Sequence, residues 1–119
     1  MIRKTLIVTL ILSVLINICS CGLLQKPINK RTGFSDHLKQ TENSIRDEDW
    51  ENAKISLDNA KKAWKKAKPL LQIDIDHDYV NSIEEDFVKL GAYIETKEKA
   101  NSLATILLVE DTWKNIGSL

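Results

Sequence analysis

The stretch WENAKISLDNAKKAWKKAKPLL, residues 50–71, decides the fold. Trp50, Ala53, Leu57, Ala60, Trp64, Ala67 and Leu71 follow one another at alternating steps of three and four. That rhythm puts them on one stripe of an α-helix. Lys54, Lys61, Lys62, Lys65, Lys66 and Lys68 occupy the remaining surface, mostly late in the helix, where cations suit its dipole. Asp47-Glu48-Asp49, just ahead of Trp50, is an acidic turn suited to a helix N-terminus. Pro69 should end the helix, because it has no N–H and its ring clashes with the preceding turn.

The same period extends in both directions. Phe34, Leu38, Thr41 and Ile45 mark an earlier helix with Ser35 as its candidate N-cap. Val80, Ile83, Phe87, Leu90 and Ile94 mark a later one, starting within residues 73–78 and ending near Glu95–Lys97. A fourth, with Ala100, Leu103, Ile106 or Leu107 and Trp113, should run to about Gly117. No strand alternation appears. The expected fold is all-α: two antiparallel helix hairpins forming a small, tetratricopeptide-like four-helix array. A shift of 49 residues superposes Phe34 on Ile83, Leu38 on Phe87, Ile45 on Ile94, Leu57 on Ile106 and Trp64 on Trp113. This faint repeat is read as shared hairpin architecture. The entry Asp49-Trp50-Glu51-Asn52-Ala53 resembles that of a tetratricopeptide second helix, although the 34-residue signature is otherwise missing.

The N-terminus is of another kind. Arg3 and Lys4 precede TLIVTLILSVLINI, residues 5–18, which holds no charge. A positive start, a short apolar core and small residues after it form a secretory signal. Both cysteines of the chain follow at once, at positions 19 and 21. Their spacing is too tight for a C-x-x-C redox pair, and no second pair completes a zinc site. Ile18-Cys19-Ser20-Cys21 resembles a bacterial lipobox, in which Ile18, Cys19 and Ser20 would be read by the signal peptidase and Cys21 would be acylated. The alternative is an uncleaved anchor, since a spanning helix needs about 20 mainly apolar residues. Either way the expected division is signal or anchor over 1–20, a lipidated tether over 21–33 and a helical domain over 34–119. Lys26, Lys30 and Arg31 in the tether could rest on anionic headgroups or simply be solvated.

The 119 residues are 43% hydrophobic and 29% charged, as suits one folded domain. Beyond Arg3 and Lys4 the chain has two more acids than bases, so there is no overall basic field to attract nucleic acid. The densest polar cluster is Asp74, Asp76, His77 and Asp78. Together with Glu85 it imitates a calcium loop, but Tyr79 stands where the sharp turn needs Gly. His77 with His37 could instead ligate a transition metal. The preferred reading makes the acids helix caps and has His77 packing on an aromatic such as Trp64. Trp50, Trp64 and Trp113 are read as core, with a peptide groove as the alternative. The lysine run is read as a solvated face, with phosphate or headgroup binding as its alternative. No Gly-rich phosphate loop and no G-x-S-x-G or H-E-x-x-H motif occurs.

Glu48-Asp49-Trp50-Glu51-Asn52-Ala53-Lys54, Trp64-Lys65-Lys66, Ile75-Asp76-His77, Ile83, Leu90 through Tyr93-Ile94, and Asn115-Ile116 carry a resemblance over about residues 34–116. They resemble the bacterial, mostly Firmicute, family called domain of unknown function 4363. The resemblance implies an all-helical domain on an N-terminal hydrophobic anchor, with no activity attached to the name. The expected function is that of a lipid-anchored, extracytoplasmic interaction or scaffold module. No catalysis and no cofactor are expected, and the partners would be the membrane and a protein of the cell envelope. The alternative is a small ligand- or metal-binding lipoprotein using the Asp74–Asp78 cluster.

Overall fold

Two turns of the same geometry set the topology. The computed structural model describes residues 1–9, 25–71 and 77–116. Among these, six helices form: α1 (residues 2–9), α2 (Gln25–Thr32), α3 (Phe34–Arg46), α4 (Trp50–Leu71), α5 (His77–Glu95) and α6 (Lys99–Ile116). No strand occurs among the described residues, and the fold is all-α.

Helix α3 stops where Glu48 takes a left-handed φ of 53°, and α5 stops where Lys97 takes one of 59°. At the first stop Asp49 N–H reaches the Ser44 carbonyl (2.9 Å) and Glu48 N–H the Ile45 carbonyl (3.0 Å). At the second, Glu98 N–H reaches Tyr93 (2.9 Å) and Lys97 N–H reaches Ile94 (3.1 Å). Each is a Schellman ending, which satisfies carbonyls that the helix terminus would otherwise orphan. Asp49 then accepts the Asn52 N–H at 3.2 Å as cap of α4. Corresponding positions in the two turns lie 49 residues apart, the spacing of the sequence repeat.

Such short turns return each helix against its predecessor, pairing α3 with α4 and α5 with α6. The pairs join twice, α4 against α5 and α3 against α6, so the four helices close into a ring. A tetratricopeptide stack would instead leave the first and last helices apart. Glu48 and Lys99, 3.7 Å apart, bring both turns to one end of the bundle. At the other end the fully buried Phe34 meets Trp64 (5.4 Å between ring centroids), Phe87 (6.1 Å) and Trp113 (4.9 Å). One residue from each helix thus forms an aromatic plug, in edge and tilted contacts that add to simple area burial.

The repeat also shows in hydrogen bonds between helices. Trp64 Nε1 donates to Glu84 across α4 and α5 (3.1 Å), and Trp113 Nε1 donates to Ser35 across α6 and α3 (2.8 Å). Trp64 and Trp113 are 49 apart, as are Ser35 and Glu84. The ring therefore carries an approximate two-fold axis along its length.

Four details depart from the sequence-based expectation. Residues 25–32, expected as tether, form α2 and bury Ile28 in the core at 4% exposure. With one apolar anchor in a polar turn sequence, α2 has no stripe to betray it, and α3 and α4 supply its partner surface. Gly33, at φ 65°, caps α3 in place of Ser35, which lies inside the helix. Helix α4 runs through Pro69 to Leu71, since the one ladder bond lost there is offset by burying Leu71. In α6 the buried set is Ser102, Thr105, Ile106, Val109, Trp113 and Ile116, leaving Ala100 and Leu107 exposed. The run TILLV fits several stripes equally well, and contact with α3 and α5 chooses among them.

Candidate functional site

The seam between α3 and α6 departs most from the two-fold pattern. On the opposite seam Lys61 of α4 faces Gly91 of α5, its Nζ 3.7 Å from where a glycine Cβ would stand. The equivalent positions here, Glu110 and Glu42, are both acidic. Glu42 is buried in α3 and is paired with Lys39 and with Arg46 Nε at 2.8 Å. The Lys39 hydrogen bond, more than any other influence, holds the Glu42 carboxyl below its ordinary range, with Arg46 assisting. Glu110 goes the other way. Burial, and then the charge of Glu42, push its carboxyl up. Glu42 therefore stays ionised while Glu110 holds its proton more readily.

Beside this pair lies a cleft of about 440 Å³ lined by Asn29, Ser35, Asp36, Leu38, Lys39, Glu110, Trp113 and Lys114. Trp113 lines it beside Ser35, whose hydroxyl accepts from the indole and donates to Asn29 Oδ1 of α2 at 2.9 Å. Helix α2 thus helps to wall the cleft. A second hollow of about 260 Å³, lined by Lys54, Leu57, Asp58, Lys61, Gly91, Ile94 and Glu95, sits on the opposite seam. At the level of Trp64 that seam is spanned by Lys68 bonded to Glu84 at 2.6 Å. That bond, more than the one from Trp64, lowers the Glu84 carboxyl against the opposing effect of burial. The α3–α6 cleft offers an aromatic wall and charges of both signs.

The residues singled out in the sequence are scattered. Trp64 is core and Trp50 is partly buried against it. His77 and Asp78 begin α5 and are exposed, and the Trp64 indole donates its hydrogen bond to Glu84. Residues 77–85 are helical, so Glu85 does not close a calcium loop with the preceding acids. His37 lies half-buried in α3, its Nδ1 without a hydrogen bond among the described residues. No group of three or more His, Cys, Asp or Glu that could hold a metal occurs among the described residues. Asp74 and Asp76 lie outside those residues, as do Ile18, Cys19, Ser20 and Cys21. None of the described helices is long and apolar enough to cross a membrane.

Glu42 and Glu110 escaped the sequence reading, and Ser35 figured in it only as a candidate N-cap. A carboxylate flanked by Lys39 three residues before and Arg46 four after was a usable signal for Glu42. Nothing local distinguished Glu110.

A family model described as a domain of unknown function (DUF4363) matches residues 24–118. The chain belongs to the DUF4363 family. The match takes in helices α2 to α6 of this DUF4363 chain, so α2 is part of the family domain. No curated protein and no solved structure matches the chain.

Proposed function

We infer that this DUF4363 protein is a membrane-tethered, extracytoplasmic lipoprotein whose four-helix body is a non-catalytic interaction module. The observation that carries the reading is the placement of its parts. The family domain begins at residue 24, directly after the charge-free stretch 5–18 and the lipobox-like Ile18-Cys19-Ser20-Cys21. Acylation at Cys21 would leave only a few residues between the lipid and α2, holding the bundle against the membrane surface. Diacyl anchoring is stable where a single chain is marginal. A tethered body gains effective concentration for partners in the same layer, and the cleft beside Trp113 offers them a docking point.

The test is chemical. Cys21→Ala should abolish incorporation of labelled fatty acid and leave the precursor unprocessed, whereas Cys19→Ala should do neither. Labelling that survives without Cys21 would refute lipidation at this residue. Crosslinking in membranes, with Trp113 neighbours such as Lys114 carrying the crosslinker, should return a protein partner. Repeated recovery of none would count against the interaction role.

A further inference from the structure

Several cations of α2 and α4 stand outside the ion pairs of the described residues, and α2 follows the hydrophobic segment in sequence. Residues 59–71 of α4 hold five lysines and no acid. Lys62 pairs with Asp58 at 3.0 Å and Lys68 with Glu84 at 2.6 Å. Lys65 and Lys66 are exposed and enter no ion pair among the described residues, Lys65 on the α5-side stripe of Lys61 and Lys68 and Lys66 away from it. Helix α2 packs on α4 and adds exposed Lys30 and Arg31, likewise unpaired among the described residues. The last turn of α4 exposes Leu70 at 43% together with Pro69. Cations interleaved with exposed apolar side chains are the makeup of a surface that rests in a lipid interface. At the far end of the bundle the solvent-facing turns are mainly acidic, with Asp47, Glu48, Asp49, Glu95 and Glu98.

We propose that the α2–α4 face, through Lys30, Arg31 and Lys66, docks on the anionic lipid surface of the membrane that holds the N-terminus. This rests on the tethered reading above. Chain geometry favours lipid as the occupant, because α2 is the element that directly follows the hydrophobic segment. Each cation near such a surface strengthens association roughly fivefold, the equivalent of about 1 kcal/mol. Docking would fix which faces of the bundle are turned outward.

The experiment uses the full chain in phosphatidylcholine vesicles, with and without phosphatidylglycerol. Flotation reports anchoring, and residue-resolved amine acylation read by mass spectrometry reports docking. Lys30 and Lys66 should react several-fold more slowly in the anionic vesicles, while Lys97 and Lys99 are unchanged. High salt should erase the difference, because the attraction is screened. The Lys66→Glu variant should float equally well but lose much of the protection of Lys30. A chain that floats with neutral vesicles yet shows the same lysine reactivity in both lipids overturns the docking face and leaves the tether standing. Failure to float at all overturns the tether. Slowing that is uniform over all lysines also overturns the face, since it reports crowding rather than orientation.

Discussion

Replacing Lys97 by glycine should stabilise the protein, although it removes a side chain and adds backbone freedom. Lys97 holds the left-handed φ of 59° that ends α5. A residue with a Cβ pays about 1–2 kcal/mol in that region, and glycine pays none. Glycine's extra freedom in the unfolded chain returns about 0.4–1 kcal/mol of the gain. The net is roughly 0.5–1 kcal/mol, or about 2–8 °C in Tm for a body of about 90 residues. Glu48→Gly should gain less, because Glu48 also faces Lys99 at 3.7 Å, an exposed pair worth about 0–1 kcal/mol. Lys97→Ala is the control: alanine keeps the Cβ and should bring no increase. Thermal unfolding followed by far-ultraviolet circular dichroism, all variants in one buffer, measures the ranking Lys97→Gly above Glu48→Gly above wild type. If Lys97→Gly melts at or below the wild-type temperature, the Schellman assignment of these turns is wrong. A gain with Lys97→Ala as large as with glycine would refute the left-handed strain.

Two further outcomes follow from the ring. Phe34→Ala empties the centre of the aromatic plug and should cost about 3–5 kcal/mol, lowering Tm by more than roughly 12 °C; near-ultraviolet circular dichroism should lose the tryptophan signal with it. Glu110→Gln should stabilise near neutral pH and make little difference in acid. The folded carboxyl titrates above its ordinary 4.5, so native stability falls as pH rises from that value through the folded one, and the amide is spared this loss. Equal effects of the substitution in acid and near neutrality, read from melting curves, would show that Glu110 is not perturbed as described.

Much of the fold was written locally. A stripe repeating at three and four along residues 50–71 admits only a helix, and a second set of equivalent residues 49 positions on implies a second hairpin. The turn before Trp50 was legible because Asp47-Glu48-Asp49 interrupts the stripe, whereas the turn near Glu95–Lys97 carries no Gly or Pro to mark it. Helix α2 was not legible, because Ile28 is one apolar residue among polar ones and its burial depends on surfaces that α3 and α4 provide. The register of α6 stayed ambiguous for a related reason, since adjacent apolar residues satisfy several helical faces until neighbours select one.

What the sequence determined by itself is the helical class, the two hairpins and the hydrophobic segment ahead of them, because these follow from periodicity and charge along the chain. What only the tertiary structure decided is the closure of α6 onto α3. Closure sets Glu42 beside Glu110 and Trp113 against Ser35, residues far apart in sequence and brought together by a shared core. The candidate site is a product of that closure. Periodicity says which face of a helix is buried, but the partner that buries it is a property of the whole bundle.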